Sequence, residues 1–154
     1  MKNFDLDLYE KMCETMFSDV SEWKEMWNRC HEEYQKCASH FSKSFRVWYE
    51  NGYFHDSILK SVSPTFEKNG KCTICIVLEP QLINAPRTTT LKYKGVTSFS
   101  FKKSKSAEVC YQNHEDCLYG EFYHSEGSEN SVIHEFFTTN DTFFYIEFEK
   151  LTCE

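Results

Sequence analysis

The apolar residues of this chain change their spacing near Asn51-Gly52, and that change narrows the possible folds more than any other feature. Before it, Tyr9, Cys13, Met16, Val20, Trp23, Trp27, Cys30, Tyr34, Cys37 and Phe41 follow one another at intervals of four and three. That is the period of one α-helical face. Charged residues such as Glu22, Lys24, Glu25, Glu32 and Glu33 fall between them, on the opposite face. After Gly52 the period drops to two, as in half-buried strands. The order predicts an α+β domain in which a helical layer, residues 1–50, packs on an antiparallel, strongly curved sheet, residues 51–154. At 154 residues the chain is the right size for one such domain with a real core.

An unbroken helix from Tyr9 to Phe41 would be roughly 50 Å long at 1.5 Å per residue. That is longer than a domain of this size is broad. Ser18-Asp19-Val20-Ser21-Glu22 supplies a break, with Asp19 as cap and Glu22 placed to reach back. Helices are therefore predicted over Leu6–Phe17 and Ser21–Phe41. A coiled-coil seam would share the spacing, but the aromatics are too bulky for regular heptad packing. In the second part, Lys71–Leu78 reads as a strand with Cys72, Ile74, Ile76 and Leu78 on one face. Thr88–Lys94 and Thr97–Lys103 read as a hairpin about Gly95. Strands are also predicted over Ala107–Gln112, Cys117–His124, Ser131–Thr138 and Thr142–Lys150, within a sheet of about six to eight strands given usual strand lengths.

The cysteines bear on the compartment. Cys72 and Cys75, in "GKCTICIVLEP", are separated by an odd number of positions, so in a strand they point to opposite faces. They are thus placed neither to bond to each other nor to chelate one ion, and no helix follows that would make a redox pair. Cys13, Cys30 and Cys37 lie on the helical stripe, facing whatever packs there. The eight cysteines, Cys13, Cys30, Cys37, Cys72, Cys75, Cys110, Cys117 and Cys153, form an even set that predicts disulfides joining helices to sheet, hence a secreted protein whose signal peptide has been removed. Asn140-Asp141-Thr142 is a glycosylation sequon with Asn140 as acceptor. The alternatives for the cysteines are a reduced protein with buried, inert thiols, and a metal site from Cys72, Cys75, Cys110 and Cys117 or His114.

Charge excludes one broad class. A formal net charge of −7 opposes general nucleic-acid binding, which depends on releasing counterions into a positive field. No apolar run is long enough to span a membrane as a helix. Lys92, Lys94, Lys102, Lys103 and Lys105 are close in sequence and form a candidate patch for an acidic partner. Phe99, Phe101, Phe144 and Phe148 are candidates to line a ligand pocket, should the aromatics on both strand faces enclose a cavity rather than build a two-sided core.

Motifs for catalysis are sparse. His55-Asp56-Ser57 holds the residue types of a triad, but adjacent residues do not assemble one. There is neither a Gly-x-Ser-x-Gly elbow nor a glycine-rich phosphate loop. His124 and His134 would make a metal site with Glu126 or Glu135 if they faced each other across paired strands. Glu147 and Glu149 are carboxylates sharing a strand face. The expectation is a non-enzymatic protein without cofactor or catalytic residues.

Strand content, cysteines and aromatics together resemble secreted lipocalin-like carriers. Such a resemblance implies a β-barrel holding a small apolar or amphipathic ligand. The Gly-x-Trp opening of that family is missing, since Arg46-Val47-Trp48 lacks the glycine. The expectation is accordingly a secreted protein that binds an extracellular protein partner through aromatic and lysine side chains. A lipocalin-like carrier comes second, and a hydrolase or metal-dependent enzyme third.

Overall fold

The structure is a computed structural model that describes residues 1–4, 8, 21–68, 70–103, 116–139 and 142–154. The predicted helix over Leu6–Phe17 and strand over Ala107–Gln112 lie outside these residues, as do Cys13, Lys105, Cys110, His114 and Asn140. Among the described residues two helices, α1 (Ser21–Lys36) and α2 (Lys43–Glu50), precede eight strands: β1 (Ser57–Phe66), β2 (Cys72–Glu79), β3 (Thr89–Val96), β4 (Ser98–Lys103), β5 (Asp116–His124), β6 (Val132–Thr138), β7 (Thr142–Phe148) and β8 (Lys150–Cys153). The architecture is α+β with one large antiparallel sheet, as the change of period implies.

The helix predicted to run on to Phe41 stops at Lys36. A short 3-10 turn over Ala38–His40 follows, and Phe41 is extended, forming a parallel bridge to Leu151. Ser42 then starts α2, its hydroxyl oxygen accepting from the Phe45 amide at 3.1 Å, as a serine cap does. The four-and-three spacing persists through this corner because both helices turn apolar faces to the same core. Tyr34, Cys37, Phe41, Phe45 and Trp48 are all buried there.

Strand order is β4-β7-β6-β5-β1-β2-β3-β8. Thr88–Lys103 is not a hairpin. β3 runs into β4 through Thr97 alone, and β7 into β8 through Glu149 alone. β3 pairs with β8 (Tyr93 opposite Leu151) and β4 with β7 (Phe101 opposite Phe144), so the four strands form one bent two-stranded ribbon. Gly95, at φ +66°, sits at the bend, where a β-carbon would come within 2.5 Å of the Glu149 side chain. The Thr97 amide donates to Glu147 O and the Glu149 amide to Lys94 O, both at 3.0 Å, and these bonds carry the pairing across the bend. The bent ribbon curls the sheet strongly without closing it into a barrel.

Successive residues on the strands go to different clusters, as the pleat requires. Ile74, Ile76, Leu78, Leu91, Tyr93, Phe122, Phe136, Ile146 and Phe148 fill the main core with the helical aromatics. Phe137, one position from Phe136, joins Phe4, Trp23, Met26 and Cys30 in a second cluster. Most of the aromatics are thus a core with two sides.

The disulfide expectation is corrected. Among the described cysteines no two are joined: Cys30 and Cys37 are buried thiols, and Cys72, Cys75 and Cys153 are half-buried thiols. Burial pushes both the Cys30 and the Cys37 thiol up to about 12. These cysteines pack as small apolar side chains. Cys72 and Cys75 do differ in environment along β2, but neither is a staple.

Candidate functional site

Three of the four predicted pocket residues meet in one place. Phe99 and Phe101 on β4 and Phe144 on β7 line an open cleft of about 460 Å³ with Leu59, Val62 and Pro64 of β1, and with Lys103 and Thr142 at its end. Among the described residues β1 pairs with β5 at Ser57 and Ile58 and β4 pairs with β7, so β1 and β4 face each other across the cleft without being paired. Phe101 stacks on Phe144, centroids 6.2 Å apart, and lies 6.3 Å from Phe99. Phe101 nevertheless remains 65% exposed, and Phe66 at the end of β1 is 79% exposed. Phe148, the fourth candidate, is fully buried in the main core against Tyr93 and takes no part.

The predicted lysine patch is divided by the strand pleat. Lys92 and Lys94 alternate with the buried Leu91 and Tyr93, and Lys102 with the cleft-lining Phe101, so these three point the other way, whereas Lys103 lines the cleft. Lys102 borders a separate hollow with Ser100, Glu135 and Tyr145.

The histidine pair does not form. Phe122 lies opposite His134, and His124 opposite Val132. His124 sits instead beside His40, ring centroids 5.4 Å apart, and reaches the carbonyls of Ser131 and Lys36. His134 is fully buried, stacked on Phe122 with centroids 3.9 Å apart, and its Nδ1 is 2.8 Å from the Tyr93 hydroxyl. Burial lowers its pKa to about 3, so at neutral pH it is an uncharged core residue. Its Nε2 has no hydrogen-bond partner among the described residues and faces the bare Cα of Gly120, where an added β-carbon would approach to 2.8 Å.

The other catalytic residue types are likewise accounted for. His55 Nδ1 lies 2.8 Å from Asp56 Oδ2, but Ser57 is buried and its hydroxyl donates to the Tyr53 carbonyl. Glu147 accepts from the Ser131 hydroxyl at 3.0 Å, while Glu149 stands at the break between β7 and β8. No group of three or more metal-ligating side chains occurs among the described residues. No helix of the described residues is long and apolar enough to cross a membrane. No protein-family model matches the chain, and no curated protein matches it either.

The sequence did not point to β1, the wall of the cleft. Its burial pattern is mostly exposed beyond Leu59, and Pro64 interrupts it, so it carries little period-two contrast. Pro64 itself was the available signal, because proline in a strand belongs at a sheet edge.

Proposed function

We propose that this chain is a non-enzymatic binding protein that engages a protein partner at the cleft between β1 and β4. The observation that carries this reading is the exposure of Phe101 in the cleft, beside the half-buried Phe99 and with Lys103 in the lining. Large aromatic side chains left in water beside polar neighbours mark interaction surfaces, and aromatic anchors supply most of the energy where partners meet. Lys103 in the cleft lining favours a partner whose apolar segment carries acidic side chains.

Site-specific incorporation of a photo-crosslinking phenylalanine at position 101 tests it, with Val47 of α2, also exposed, as the control site. One protein crosslinked from position 101 and not from 47, and lost on substituting Lys103→Glu, supports the reading. Equal yields from both positions would sink it.

An extracellular setting belongs to the proposal too, but its main support has gone with the disulfides. It now rests on the Asn140 sequon and on Cys13 and Cys110. Intact mass after alkylation in denaturant without reductant decides this: alkylation at Cys30, Cys37, Cys72, Cys75 and Cys153 is expected, and a fully blocked chain would restore the earlier view. The carrier reading stays second, because the cleft volume is within the range of small-ligand sites, about 300–1,000 Å³. Saturable binding of a fluorescent fatty acid, abolished by Phe101→Glu, would favour it.

A further inference from the structure

A second hollow lies on the other side of the molecule, at the seam between the helices and β5. β1 begins its antiparallel pairing at Ser57, opposite Cys117, so among the described residues no strand pairs with that edge of β5 past Cys117. The helices cover it instead. The Tyr49 hydroxyl donates to the Gly120 carbonyl at 3.4 Å, standing in for a missing ladder bond. Gly120 has no side chain to fill the space under the helices, and a cavity of about 270 Å³ results. Its walls are Trp27, Tyr34, Tyr49 and Phe122, with the Cys30 thiol, His31 and the carboxylates of Glu50 and Glu121.

The charged residues that line this cavity are acidic, Glu50 and Glu121, while Arg29 and Arg46 act on Cys30 and Tyr34 from outside the lining. Neither lysine nor arginine lines it. Glu121 is buried and accepts from the backbone amides of Asn3, at 2.9 Å, and Phe4, at 3.5 Å. Those amides supply hydrogen bonds without a full compensating charge. Glu50 accepts from the Tyr34 hydroxyl at 3.1 Å, which leaves the phenol oxygen and the remaining carboxylate lone pairs as acceptors. The thiol and the phenol next to them feel these carboxylates: after burial, Glu121 raises Cys30 more than Arg29 lowers it, and Glu50 raises Tyr34 more than Arg46 lowers it. Electron-rich aromatic walls attract cations in the same sense.

We infer that the seam cavity binds a small organic cation of the alkylammonium class, held between Trp27, Tyr34 and Tyr49 with its charge toward Glu50 and Glu121. The size suits a head group of a few heavy atoms rather than a peptide. This site is separate from the β1–β4 cleft, and neither reading depends on the other.

Titration with tetramethylammonium and with choline, followed by Trp27 fluorescence and by amide shifts of Gly120 to Phe122 in the full chain, tests it. The neutral isostere of choline, 3,3-dimethylbutan-1-ol, is the control. The expected result is saturable binding of both cations with shifts centred on Gly120, and binding of the neutral alcohol weaker by roughly tenfold. Glu50→Gln, at an exposed position where the fold should persist, is expected to weaken the cations and leave the alcohol unchanged. Trp27→Phe serves as a second variant that keeps an aromatic wall with a weaker pull on the charge. Equal binding of alcohol and cation would show an apolar hollow without charge preference, and an absence of shifts at saturating cation would show no site; either result overturns the inference.

Discussion

β3 and β4 are two halves of one bent strand, built from the same alternation of aromatic and polar residues, yet they end in different surroundings. Leu91 and Tyr93 on β3 are wholly buried, whereas Phe101 on β4 is 65% exposed. The difference does not come from residue type or period. β3 has strands on both sides, β2 and β8, and the helical aromatics over its inner face. Among the described strands β4 has a neighbour on one side only, β7, and across the cleft β1 faces it unpaired. Alternation tells which side chains share a face. Whether that face is covered depends on elements far away in the chain.

The comparison makes sharp demands on stability. Phe148→Ala, beneath Tyr93, should cost about 3–5 kcal/mol, since it empties a space the packed core cannot close. Urea unfolding measures this, and a cost below about 1 kcal/mol would mean that the β3 half is not the tight core described here.

Acid is expected to act on the same half. The unfolded chain protonates a histidine near its ordinary value of 6.5, while folded His134 resists until about 3. The site's contribution is therefore complete above pH 6.5 and lost progressively as pH falls through that window. At pH 5 the loss amounts to about 2 kcal/mol. Urea midpoints at pH 7.5 and pH 5 for the parent and for His134→Leu would check it, because the variant should lose that part of the pH slope. A parent slope unchanged by the substitution would assign the acid sensitivity elsewhere.

Around the same ring, Tyr93→Phe and Gly120→Ala should each destabilise by about 1–3 kcal/mol. The first removes the one partner of His134 Nδ1, and the second drives a methyl group toward Nε2 and the Phe136 side chain. Thermal melts of the two variants, measured side by side, would separate lost bonding from lost space. The smallest effect is expected on β4: Phe101→Ser should stay within about 0.5 kcal/mol of the parent while changing what the cleft binds. A large loss at Phe101 would erase the contrast between the halves.

Much of the α+β layout was legible because period reports burial directly. The inward faces of β2 and of β5 to β7 follow from the alternation around Ile74, Phe136 and Phe144. Three things were not. The hairpin about Gly95 looked sound because a glycine between two alternating runs usually reverses the chain. Here the Lys94 and Glu147 carbonyls hold the same ribbon partner on both sides of Gly95, so the chain bends and continues. The thiols were misread because an even count suits disulfides, while a buried cysteine on an apolar stripe suits simple packing equally well. The seam cavity draws on Trp27, Tyr49 and Gly120, which no local pattern brings together. A lone glycine in the strand between Tyr119 and Phe122 was its one trace, since glycine inside a strand often marks close approach or open space.

The ribbon that shapes the cleft also dictates the order in which the molecule can assemble. Leu91 pairs with Cys153 and Lys103 with Thr142, so neither half of β3–β4 gains its ribbon partner until the β5–β6 hairpin has been traversed. Pairings so distant along the chain require large loops to close before they return any stabilisation, and sheets of this kind fold slowly. During synthesis β3 would wait, apolar and half-paired on β2, for a partner that leaves the ribosome much later. The interval between those two events is when this protein is most exposed to aggregation and most in need of a chaperone.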